Sequence, residues 1–512
     1  MSKIFKYGIA LLDYTIAIAI ANGEIKGVID EVATAKVIQS QKLTEKLAQG
    51  DAAVYGVNTG FGPLCDTKIA ANDTAALQYN LLTSHSAGVG NPVPKMISKL
   101  MLITKLHALA QGFSGIQLAT LERIQLLLEK DIIPVVPEKG SVGASGDLAP
   151  LAHLFLPLIG LGKVWQGDTI KNAEEILQQH HLEPLILRPK EALALINGTQ
   201  FILSFGVLFL HHFKNILDLA DVIGALSLEG FQGSVNPFVA EIHQLRPFQG
   251  TVHVAQRMRT ILEGSNIVSA HLNCDRVQDP YSIRCIPAVH GASRNAFNHL
   301  QDLINIELNS VTDNPIILED GRSISGGNFH GQPLAIALDY NAVAAAEIGS
   351  ISERRSYLML EGKFGLPKML IQNSGLNSGF MIPQYTAAAL VSENKTMCFP
   401  ASADSIPTSM GQEDHVSMGS ISGRKAFQIV LNVEYVLAIE LLYALQAIDY
   451  RRPATSSEIL ERIHAHLRKL VAHTEQDRIF GNDIEALHRI INDGSLLDFI
   501  NETALSLKLE LQ

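Results

Sequence analysis

The stretch Ile429-Val430-Leu431-Asn432-Val433-Glu434-Tyr435-Val436-Leu437-Ala438-Ile439-Glu440-Leu441-Leu442-Tyr443-Ala444-Leu445 is apolar on almost every side of a helix. Apolar residues recur three and four apart, and most positions between them are apolar too. A helix of this kind has little surface to offer water, so it is buried inside a bundle or between subunits. It lies within a longer helical pattern over 424–450. Two more long, Ala/Leu-rich patterns cover 201–219 and 333–360, and 335–346 is again apolar almost all round. Their interiors are nearly free of Gly and Pro, which break helices. Together the three predict a mainly α fold around a long central helical bundle.

Outward from these helices the character changes. The first 200 residues are rich in Gly and Pro and mix short loops with helices, whereas 451–512 is more polar and reads as outer helices. Gly-rich loops fall at 55–63, 140–147, 326–331 and 408–419. Loops on a rigid scaffold are where functional side chains are held. No repeat, low-complexity tract or Pro/Ser-rich linker separates the parts. One continuous unit is therefore expected, in three parts: 1–200, 201–450 and 451–512.

Composition narrows the function classes. Hydrophobic residues make up 47% but aromatics only 6%, which predicts a large aliphatic core. The net charge of −11 opposes nucleic-acid binding, which needs clustered cations against phosphates. It fits a cytoplasmic protein with no nucleic-acid partner. The four cysteines, Cys65, Cys274, Cys285 and Cys398, form no CxxC pair, so reduced thiols are expected. Lys3 and Lys6 precede an apolar stretch, but Asp13 interrupts it. A strand over 4–12 followed by a helix capped by Asp13 is the better reading than a leader. No run reaches the ~18 uninterrupted apolar residues of a membrane span, so no membrane partner is expected. The adjacent pairs His180-His181 and His211-His212 do not converge on one helix face, and no HExxH occurs; no metal is expected.

The chemistry sits in Gly140-Ser141-Val142-Gly143-Ala144-Ser145-Gly146-Asp147-Leu148-Ala149-Pro150. A phosphate loop would need Lys after its glycines, and none follows. A hydrolase elbow would need Gly two residues after the serine, where Asp147 stands. Backbone cyclisation does fit. Attack of the Gly146 nitrogen on the Ala144 carbonyl closes a five-membered ring. Loss of water, including the Ser145 hydroxyl, leaves an exocyclic double bond on a conjugated imidazolone. Gly146 offers an unhindered nitrogen and permissive backbone angles, Ala144 an accessible carbonyl, and Ser145 a hydroxyl that can leave. Asp147 to Pro150 reads as a helix start, whose partial positive charge would increase the ring's electron demand.

The run from Gly143 to His153 resembles the signature of the aromatic amino-acid ammonia-lyases, a family of histidine, phenylalanine and tyrosine lyases and related aminomutases. The likeness extends from about residue 10 to at least residue 450. It implies a Gly-rich N-terminal part holding the ring above a long helical bundle. It also implies a 4-methylidene-imidazol-5-one group made autocatalytically from Ala144, Ser145 and Gly146, with no external cofactor. A homotetramer whose sites are shared between subunits is implied as well.

The resemblance assigns further residues. Tyr55, in Tyr55-Gly56-Val57-Asn58-Thr59-Gly60-Phe61-Gly62, matches the tyrosine base that takes the substrate β-proton; a phenol near ~10 must be tuned for this. Asn197, in Asn197-Gly198-Thr199-Gln200, matches the residue that hydrogen-bonds the ring. In Gln278-Asp279-Pro280-Tyr281-Ser282-Ile283-Arg284, Arg284 would clamp the substrate carboxylate as a fork. Gln278 would add a hydrogen bond, and Tyr281 would be a second catalytic tyrosine. Phe329, in Gly327-Asn328-Phe329-His330-Gly331, would pack beside the ring, with Asn328 as polar support.

Two positions speak to the substrate. Phenylalanine-acting members carry a large apolar residue where this chain has His85; members acting on histidine or tyrosine carry His. Glu413, in Gln412-Glu413-Asp414-His415, matches the histidine-acting members, where others carry an amide. A carboxylate accepts the imidazole N–H and stabilises its positive charge, and does little for a phenyl ring. The expected reaction is elimination of ammonia from L-histidine to trans-urocanate, the first step of histidine degradation. Tyrosine elimination or an aromatic 2,3-aminomutase is the alternative.

Overall fold

The computed structural model of the protein describes residues 3–271 and 276–511; Cys274 lies outside them. Among the described residues it has 20 α-helices and nine short strands, so the fold is mainly α, as expected. The chain forms two compact units. The first comprises Met1–His211, Leu300–Asp339 and Pro400–Arg424; the second comprises His212–His299, Tyr340–Phe399 and Lys425–Gln512.

The three long patterns are helices Gln200–Phe231, Gln332–Met359 and Gly419–Asp449, each extending beyond or starting before the bounds read from the sequence. Each begins in the first unit and runs on into the second. The polar interruptions of the 429–445 stretch are satisfied inside the second unit. Asn432 donates to the Asn394 side chain at 2.9 Å. Glu434 pairs with His212 at 2.7 Å and accepts from Asn492 at 2.9 Å. Glu440 accepts from Arg355 Nη2 at 2.9 Å and from Ser227 at 2.6 Å, all three residues being fully buried. Burying those charges is tolerable only because each is paired and hydrogen-bonded.

Counted as uninterrupted apolar runs, no segment is long enough to cross a membrane. Measured as helix windows that admit up to two charges, these three helices are. Their apolar windows are 72%, 72% and 83% buried inside the protein itself.

In the first unit, Lys3–Lys6 pairs in parallel with Ile25–Val28. The strand is shorter than the expected 4–12, but Asp13 caps helix Tyr14–Ala21 as read, accepting from Ile16 N at 2.8 Å. Helix Lys95–Leu109 is buried along most of its length and carries Lys105 into the core. A three-stranded sheet (Ile133–Pro134, Lys163–Gln166, Thr169–Asn172) and the pair Val89–Pro92 with Pro137–Lys139 flank the 140–147 loop in sequence.

Candidate active site

The loop Gly140 to Asp147 is clasped by two other segments of the first unit. On one side lies 417–420: Met418 N donates to Val142 O at 3.0 Å, and Ser420 Oγ to Ser141 O at 2.7 Å. Ala144 is buried with Val416 and Met418. On the other side lies the Asn197-Gly198 turn. Asn197 Nδ2 donates to Ser145 O at 3.1 Å, Gly198 N to the same oxygen at 3.4 Å, and Asp147 N to Gly198 O at 2.8 Å.

This geometry accommodates the ring chemistry. Gly146 has φ +76°, and a Cβ there would sit 2.1 Å from Gly198 O, so only glycine fits against the turn. Neither bond of the Gly146–Gly198 bridge uses the Gly146 nitrogen, the atom required to attack Ala144. The Ser145 carbonyl oxygen, retained in an imidazolone, already has the Asn197 amide as its donor.

Asp147 departs from its expected local role. It precedes helix Leu148–Phe155, but its side chain does not cap that helix. Instead Oδ2 accepts from Phe201 N and Ile202 N, both at 3.0 Å, at the start of helix Gln200–Phe231. Complete burial pushes its carboxyl up to about 7, with those N–H groups and Ser141 pulling the other way. Lys105, also fully buried, donates to the Asn197 carbonyl, and burial brings its amine down to about 7.

Two cavities of about 310 and 630 Å³ share Tyr55, Gly62, Ser145, Asn197 and Glu413 as walls. Phe329 lines the smaller and His85 the larger. Glu413 Oε1 accepts from Ser145 Oγ at 3.0 Å. Its other oxygen, Oε2, accepts from Thr408 Oγ1 at 2.7 Å and Ser409 Oγ at 2.8 Å. The Tyr55 hydroxyl accepts from Gly62 N at 3.2 Å. Burial pushes that phenol upward, and Glu413 and Cys65 add to the rise; the Gly62 N–H pulls it back. Burial lowers the His85 imidazole, favouring its neutral form, and its Nδ1 lies 3.1 Å from Ser84 Oγ.

Gln278, Tyr281 and Arg284 belong to the second unit, and none lines these cavities. Gln278 and Tyr281 are exposed. The Arg284 guanidinium lies 4.5 Å from the Tyr281 ring centre, and its Nε is buried without a hydrogen-bond partner. Sequence reading had not singled out Thr408, Ser409, Asn314 or Lys105. The signal for Lys105 is a Lys set inside the mainly apolar run 100–109; the hydroxyls at 408 and 409 carry none beyond their Gly-rich loop. His330, left without a catalytic role, lines the smaller cavity with His415, their rings 5.4 Å apart.

The aromatic amino acid lyase family model matches residues 12–469. A histidine ammonia-lyase of Anaeromyxobacter dehalogenans is 46% identical over 489 residues, covering 93% of this chain and 96% of that protein. The crystal structure of histidine ammonia-lyase from Trypanosoma cruzi superposes with a TM-score of 0.90 at 39% identity, covering 98% of this chain and 95% of that one. The tyrosine aminomutase of Streptomyces globisporus superposes at 0.92 with 34% identity, covering 98% of each chain.

Proposed function

This chain belongs to the aromatic amino acid lyase family, and on that premise we propose how its residues carry out one member reaction. It is a carbon–nitrogen lyase that eliminates ammonia from L-histidine to give trans-urocanate. The observation that carries the substrate is Glu413, whose carboxylate stands 3.0 Å from Ser145 Oγ in the wall of a cavity that His85 also lines. Thr408 and Ser409 fix one carboxylate oxygen and leave the other facing Ser145.

The prosthetic group is a 4-methylidene-imidazol-5-one formed from Ala144, Ser145 and Gly146. It supplies an electrophile that the side chains of the common amino acids lack. The chain's own residues do the rest. Asn197 holds the Ser145 carbonyl oxygen and stabilises negative charge arriving there. Glu413 receives the imidazole N–H and balances its positive charge. Tyr55 accepts the β-proton at its phenolic oxygen. His85 turns a neutral ring nitrogen toward the substrate ring, and Phe329 packs against the apolar face. Arg284 forks onto the substrate carboxylate, with Gln278 and Tyr281 beside it.

The same reading includes a soluble, cytoplasmic homotetramer with shared sites. Its support is the family likeness together with large aromatic side chains left exposed on the second unit: Tyr340, Tyr357, Tyr385 and Phe399. The test is absorbance at the urocanate band after adding L-histidine, with L-tyrosine and L-phenylalanine in parallel and Ser145→Ala as control. A rise with histidine alone, absent in the control, supports the reading. Coumarate from tyrosine, or a β-amino acid, would replace the substrate or the reaction.

A further inference from the structure

We propose that Glu413 also acts earlier, on the unprocessed chain, as the acid that protonates the departing Ser145 hydroxyl while the ring is made. The proposal rests on the ring-forming reading above and adds a role to a residue otherwise needed only for substrate. A serine hydroxyl is a poor leaving group because it departs as hydroxide unless a proton reaches it. Ser145 Oγ donates to Glu413 Oε1 at 3.0 Å; with the carboxyl protonated the same pair, within proton-transfer reach, runs the other way, from Oε1 to the leaving oxygen. Its Oε2 is taken by two hydroxyl donors, Thr408 and Ser409, so a proton on this carboxyl is directed to Oε1. In the finished ring Ser145 has no hydroxyl, so this contact belongs to the precursor alone.

The steps balance. The Gly146 nitrogen bonds to the Ala144 carbonyl carbon, and that oxygen leaves as water with the hydrogens of the Gly146 and Ser145 nitrogens. The Ser145 Cα–H bond then breaks, its electrons form the Cα–Cβ double bond, and the Cβ–Oγ bond opens. Oγ takes the proton from Glu413 and leaves as the second water. The proton released from Cα, passed through solvent, restores the Glu413 acid. No oxidant or reductant enters.

Intact-mass spectrometry of full-length protein, followed in time after synthesis, tests this without any measure of turnover. Wild-type chain is expected two waters short. Glu413→Gln, which keeps the shape but has no acidic proton, is expected to lose the serine's water about a hundredfold more slowly. It should accumulate as full-mass or one-water-short chain. Glu413→Asp, with the acid drawn back by one methylene, should mature slowly but to completion, and it carries the test if the Gln variant does not fold. Loss of both waters at the wild-type rate in the folded variants overturns the proposal and leaves the lyase reading standing. Full mass in wild-type protein overturns the ring reading and this inference together.

Discussion

The side-chain amide of Asn197 donates to the carbonyl oxygen of Ser145 at 3.1 Å, and Lys105, buried beneath, donates to the Asn197 carbonyl in turn. Lys105 holds the backbone carbonyl of Asn197 and so fixes the chain from which that amide projects. Fixed donors of this kind act where charge develops, at no reorganisation cost. Asn197→Leu, similar in size but without the amide, should lower kcat by about 10²–10³-fold with a smaller change in KM. Steady-state kinetics on samples matched for ring content by mass checks this. An unchanged kcat would remove Asn197 from the site.

Asp147 gives a pH dependence with a definite sign. Its carboxyl rises from an ordinary 3.8 to about 7 because the residue is fully buried. Between those values the folded chain holds a proton that the unfolded chain releases, so stability falls as pH rises across the window. The contribution is fully present below about pH 4 and lost above about pH 7. Asp147→Asn, which cannot ionise, should flatten that part of the Tm profile. Parallel profiles for the two proteins would contradict the shift.

His85 is the position where a single change should move specificity. Its ring, held neutral by burial, lines the larger cavity at the end of helix Thr74–His85. His85→Leu removes a polar partner for the substrate ring and adds apolar surface. The ratio of kcat/KM for histidine to that for phenylalanine should fall on the order of a hundredfold. A ratio that holds steady would leave Glu413 as the only selector.

Much of this was legible in the chain itself. The 429–445 stretch announces a buried helix because little of it can face water, and Asn432, Glu434 and Glu440 find partners within the second unit. Gly146 was readable because a ring-closing nitrogen must be unhindered, and the turn at Gly198 leaves no space for a Cβ. What stayed hidden depends on distant segments meeting. Asp147 looked like part of its own helix start, yet it caps a helix that begins more than fifty residues later. Thr408 and Ser409 are ordinary hydroxyls until Glu413 lies between them and Ser145. Tyr55 carries its motif openly, but the direction of its pKa shift comes from burial and from Glu413, a partner far along the chain.

Arg284 gives the last prediction. Its guanidinium rests on the exposed Tyr281 ring with Nε unpartnered, and neither residue lines the cavities around Ser145. On the proposed reading, in which copies of the chain share sites, Arg284 holds the substrate carboxylate from one copy while Tyr55 of another takes the β-proton. Tyr55→Phe and Arg284→Ala should each be nearly inactive alone. Unfolded together and refolded as mixed oligomers, they should regain activity, because some sites then receive Tyr55 from one variant and Arg284 from the other. Random assembly of two-chain sites returns about a quarter of them to the wild-type pair. Urocanate formation by the mixture, against each variant refolded alone, is the measurement. A mixture as inactive as its parts would mean that both residues act within one chain, or that Arg284 does not bind substrate.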